Sequence, residues 1–87
     1  MTKEAQITML REQVHDLVLE RLTEIVTEEM KNNPELHSFV LYPYGYPCFY
    51  DVDGYDCGYN DPVEVFIEEY AKGVNIDVVL YQKDLLK

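Results

Sequence analysis

Residues 61–81 read DPVEVFIEEYAKGVNIDVVLY, a helix and a strand back to back, and this stretch decides the fold class. Asp61 offers a side-chain acceptor to the first amides of a helix, Pro62 suits the first helical position, and Glu64 stands three residues after the cap. Val63, Phe66, Ile67 and Tyr70 then fall on one face, and Lys72-Gly73 supplies a stop. Beyond it, Val74, Ile76, Val78 and Leu80 alternate with Asn75, Asp77, Val79 and Tyr81, the period-two pattern of a half-buried strand.

Upstream of this unit the chain turns to strands. Residues 55–60 form a short third strand or a loop, Asp53-Gly54 is a hairpin turn signal, and residues 48–52 read as a strand. Residues 42–47, with two prolines and a glycine, make a turn, and residues 36–42 a first strand. Before these, Ile7, Leu10, Val14, Leu17, Val18, Leu22, Ile25 and Val26 recur at steps of three and four, predicting one helix over residues 4–31. Thr2 is its N-cap, with Glu4 in the first turn. Asn32-Asn33-Pro34 ends it, an asparagine being suited to a left-handed terminal position. The predicted fold is α+β: a long N-terminal helix, then β-β-α-β, as a three- to four-stranded sheet with both helices on one face. If the second and last strands are parallel, the crossover between them is right-handed. So long a helix leaves room to bury part of its stripe against a second copy.

Eighty-seven residues make one domain, and 47% hydrophobic content is enough to fold it. A chain this short buries only about 60–65% of its unfolded surface, which leaves little core to spend on an enclosed cavity. The net charge of −10 opposes direct binding to nucleic acid or to anionic membranes and favours a basic protein surface. With no leader and no apolar run of membrane-spanning length, the chain reads as cytoplasmic. Cys48 and Cys57 are expected as thiols, with a hairpin disulfide as the alternative.

The acids are unevenly placed. From Asn32 to Ala71 there is no lysine or arginine, while Glu35, Asp51, Asp53, Asp56, Asp61, Glu64, Glu68 and Glu69 all lie there. On the first helix Glu12, Asp16, Glu20, Glu24 and Glu28 follow at intervals of four. Such neighbours repel, by about 1–2 kcal/mol over four contacts, so folding alone does not favour the row. A solvated face that keeps the protein in solution is the plain reading; an ordered row of carboxylates resembling a nucleic-acid backbone is the functional one. Six of the eight tyrosines lie between residues 42 and 59, a residue type suited to protein interfaces and to arginine and lysine side chains.

Other chemistries fit less well. Aligning Asp51, Asp53 and Gly54 with an EF-hand loop puts Phe49 at its first position and Asn60 at its twelfth, where acids are required. An irregular cation site from Asp51, Asp53, Asp56 and Asp61 is the remaining metal reading. His15 and His37 lack a metalloprotease-type partner, Ser38 has no nucleophile-elbow context, and the four glycines are isolated. No cofactor and no enzymatic activity are expected.

In overall character the chain resembles the small acidic inhibitors that phages use against restriction, repair or CRISPR enzymes. The resemblance is one of composition and covers no motif. It implies a decoy that occupies the basic groove of a nucleic-acid-binding protein. The residues expected to meet that partner are Glu12, Asp16, Glu20, Glu24 and Glu28 on the first helix, and Asp51, Asp53 and Asp56 at the hairpin. Beside the hairpin stand Tyr44, Tyr46, Tyr55 and Tyr59; Glu64 and Glu68 lie on the second helix. The alternatives are an interaction module dimerising through the first helix, and a divalent-cation-binding domain.

Overall fold

A computed structural model describes residues 2–42, 47–58, 61–71, 74 and 76–86. Helix α1 runs Lys3–Asn32, and strands β1 Ser38–Leu41, β2 Cys48–Tyr50 and β3 Asp56–Gly58 follow. Helix α2, Asp61–Phe66, continues as a π-helical turn, Ile67–Ala71; β4 is Val78–Tyr81 and α3 is Gln82–Leu85. The α+β class and the succession of long helix, strands, second helix and strand agree with the sequence reading, but β4 begins four residues later than the alternation from Val74 suggested and α3 follows it. The turn at 43–46, the helix stop at Lys72-Gly73, and Tyr44, Tyr46, Tyr59, Asn60 and Asn75 lie outside the described residues.

Thr2 caps α1 as expected, its hydroxyl accepting from the Ala5 amide at 3.1 Å. The other end departs from expectation. Asn33 takes φ −134°, ψ 83° rather than a left-handed conformation. Pro34 drives the residue before it to extended backbone. The Asn33 side-chain amide then donates to the Glu29 carbonyl at 3.0 Å and satisfies the helix end directly.

The four strands form one sheet in the order β3-β2-β1-β4, with every neighbouring pair antiparallel. β2 and β4 run the same way with β1 between them, but β3 intervenes in the chain and enters α2 running opposite to β4, so the direct β2–α2–β4 crossover does not arise. His37 extends the central strand by one residue, donating to the Tyr50 carbonyl and accepting from the Gln82 amide, both at 2.8 Å. The segment after β4 is not a plain tail: α3 turns back so that Leu85 and Leu86 pack on the core, and Gln82 Nε2 donates to the Pro34 carbonyl at 3.0 Å.

One core lies between the helices and a single face of the sheet. It joins Val18, Leu22, Val26 and Met30 of α1 to Val63 and Phe66 of α2 and to Phe39, Leu41 and Phe49 of the strands. Phe39 and Phe49 are cross-strand partners with ring centroids 4.9 Å apart. The apolar stripe of α1 is thus buried only in its C-terminal half; Ile7, Leu10, Val14 and Leu17 are exposed. Length explains this. Thirty helical residues span about 45 Å, whereas a four-residue strand spans roughly 13 Å. The sheet is too short to cover the helix, and the molecule measures 49 × 26 × 19 Å.

Candidate partner-binding surface

The carboxylate row of α1 is placed by the same period that builds the core. Asp16, Glu20, Glu24 and Glu28 each precede a buried residue by two positions: Val18, Leu22, Val26 and Met30. Two residues correspond to about 200° around a 3.6-residue turn, so each acid points away from the core. Both sets repeat every fourth residue and wind together by about 40° per step, which keeps Asp16 to Glu28 opposite the buried residues; counted from Glu12 the row runs about 24 Å along the axis. All five are exposed. Arg21 bridges Glu24 at 2.8 Å, and His15 Nδ1 lies 3.4 Å from Asp16; among the described residues Glu12, Glu20 and Glu28 are in no ion pair.

The hairpin acids serve a different purpose. Asp51 Oδ1 accepts from the Asp53 and Tyr55 amides, each at 2.9 Å, and so closes the β2–β3 turn, in which Gly54 takes φ 84°. Asp56 Oδ1 accepts from the Gly58 amide at 2.6 Å and from the Cys48 thiol at 3.1 Å. Those two contacts, the thiol first, hold the Asp56 carboxyl below its ordinary range. Desolvation and then the Asp56 hydrogen bond raise the Cys48 thiol. Cys57 is raised too, first by desolvation and then by the charges of Asp51, Glu35 and Asp56. Both cysteines are free. Among the described residues no group of three or more His, Cys, Asp or Glu side chains gathers around one point fit for a metal ion.

The expected surface therefore divides. The α1 row lies on the helix, and Asp51, Asp53 and Asp56 lie at the β2–β3 turn, bound by contacts within that hairpin. Tyr55 stands exposed beside them at 71%. Glu64 and Glu68 are exposed on the second helix and its π turn. The end of the α1 row does meet α2, since Glu24 and Glu28 share one shallow pocket with Arg21, Ile25 and Pro62.

The π turn creates a feature that sequence reasoning missed. A regular helix would place Tyr70 on the buried face with Val63, Phe66 and Ile67. The wider turn shifts the register so that Ala71 is buried instead, and Tyr70 is 60% exposed. Tyr70 then joins Val65 and Phe66 of this arm and Leu17, Val18 and Ile25 of α1 around an apolar groove of about 710 Å³. Arg21, Asp61 and Pro62 line it as well. The legible sign was Val65, the one apolar residue of α2 left off its predicted inner face.

No helix among the described residues is long and apolar enough to cross a membrane. Compared with protein-family models, curated proteins and solved structures, the chain matches none.

Proposed function

We propose that this chain is a non-enzymatic binding protein whose α1 carboxylate row stands in for a nucleic-acid backbone and occupies the basic groove of a nucleic-acid-binding protein, in the manner of the acidic phage inhibitors it resembles. The observation that carries this reading is the geometry of the row. Five exposed carboxylates follow a shallow spiral along one helix, opposite its buried residues from Asp16 to Glu28, with a single lysine or arginine bridging any of them among the described residues. Their spacing is about 6 Å per charge, against about 3.4 Å along one DNA strand, so the row presents roughly half a strand's charge density. Asp51 and Asp56, committed to their own turn, play a smaller part than their composition suggested.

The test is affinity capture on the immobilised protein at about 50 mM and 500 mM salt, where screening lengths differ severalfold, with duplex DNA or RNA as competitor. The expected catch is nucleic-acid-binding proteins that release at high salt or on adding nucleic acid. Substituting Glu12→Gln, Asp16→Asn and Glu20→Gln together should weaken capture by about tenfold or more. Capture that is indifferent to salt, to nucleic acid and to these substitutions would refute the decoy reading.

A second reading is favoured by the exposed Ile7, Leu10, Val14 and Leu17, an unpaired heptad-like face on which a second copy could pack. Sedimentation equilibrium separates the two: this reading requires a stable dimer that Val14→Asp dissociates.

A further inference from the structure

We infer that the groove between α1 and α2 receives the apolar face of a basic amphipathic helix presented by the partner. This rests on the reading of the chain as a binder of basic proteins and adds the element that the partner offers. Two helices form the walls. Leu17 and Ile25 stand eight residues apart on α1, about 12 Å, the length of two turns of an incoming helix. Leu17, Val65 and Tyr70, exposed at 66%, 53% and 60%, provide the surface that such a helix would cover with anchors at i, i+3 or i+4, and i+7.

Charge selects the occupant. The apolar groove and the acidic pocket holding Glu24 and Glu28 share Arg21, Ile25 and Pro62, so one continues into the other. Asp61 lines the groove at the same end. Arg21 is already engaged by Glu24 at 2.8 Å, which leaves this end anionic. A helix with leucine-like residues on one side and lysines or arginines on the other satisfies both surfaces together. A second copy does not: each chain carries −10, and docking would bring acidic rims together. The π turn supports the assignment, because it takes Tyr70 out of the core and sets it on the groove wall, and such turns recur at functional positions.

The probe is a fluorescein-labelled peptide of about 14 residues, leucines at helical spacing and lysines elsewhere, followed by fluorescence anisotropy. Its controls are an oligolysine of equal charge and a peptide with the same leucines but glutamines for lysines. Expected is 1:1 binding of the amphipathic peptide, with both controls weaker by about tenfold. Leu17→Ser with Val65→Ser keeps the net charge and should weaken binding at least about tenfold, as should Glu24→Gln with Glu28→Gln. The substituted side chains are exposed, circular dichroism checks the fold, and Tyr70→Ala is an independent variant of the same wall. The inference is overturned if oligolysine binds equally well, if the glutamine peptide does, or if the serine variant binds unchanged. It is also overturned if sedimentation shows a dimer that Val65→Ser alone dissociates and Val14→Asp does not, since a second copy then fills the groove. The Glu12→Gln, Asp16→Asn, Glu20→Gln protein, none of whose substitutions lines the groove, should keep the peptide while losing its nucleic-acid-competed partner, so the two readings fail separately.

Discussion

The Cys48 thiol lies 3.1 Å from the Asp56 carboxylate; that contact is the first cause holding the acid below its ordinary range, while the thiol is raised by desolvation first and by the acid second. A depressed carboxyl contributes stability above its unfolded value and loses that contribution as pH falls through the lowered one, on the acid side of about pH 4. A raised thiol contributes below its unfolded value and loses it as pH climbs through the raised one, on the alkaline side. The β2–β3 pair is therefore best held between those limits. Asp56→Asn should bring the Cys48 titration down toward the ordinary thiol range, followed by thiolate absorbance in a Cys57→Ser background. An unchanged titration would mean that the contact does not form in solution. The aspartates of this hairpin were visible in the sequence, but whether they faced a partner or their own amides was not. Side-chain acceptors two and four residues from their donors look the same on paper as free charges.

On α1, burial and charge come from one repeat, and two substitutions separate their effects. Leu22 is fully buried, and Leu22→Ala should cost roughly 2–5 kcal/mol in urea denaturation. Leu17 is 66% exposed, and Leu17→Ala should change stability by under about 1 kcal/mol, although the unbroken stripe gave both leucines the same weight. Comparable losses would show that a second copy covers Leu17. Glu20 stands four residues from both Asp16 and Glu24, so Glu20→Lys turns two repulsions into attractions and should stabilise the fold by about 1–2 kcal/mol. Under the proposed function the same change weakens partner binding. A residue whose removal improves folding and harms function is what a working acidic row predicts, and thermal melts beside the capture assay measure both signs. On the second helix the expected inner face failed at one position, because a single π turn moved Tyr70 outward and Ala71 inward.

For the molecule as a whole, elongation and charge act together. The Cα radius of gyration is 14.3 Å, against about 12 Å for a compact chain of this length. The N-terminal half of α1 accounts for the difference by running past the sheet. With −10 spread over so small a body, raising salt from about 10 mM to 500 mM should raise the melting temperature, as screening falls from roughly 30 Å to below the spacing of the α1 acids. A flat or falling response would indicate that the acids are paired in solution.

Local residue patterns determined that residues 4–31 form a helix, that strands come next, that a proline-led helix and a further strand follow, and that the acids of α1 from Asp16 onward stand opposite its core. The helix and its acids follow because two sets sharing a repeat of four stay on opposite sides of a helix as both wind around it. Only the tertiary structure decided where burial on α1 begins, that Asp51 and Asp56 are spent on their own turn, and that Leu17, Val65 and Tyr70 meet around one groove. The first depends on how far a short sheet reaches along a long helix and the last on the register of one π turn, distances between elements that local residue patterns do not encode; the second depends on the pairing of β2 with β3, which brings the turn's donors to those two carboxylates.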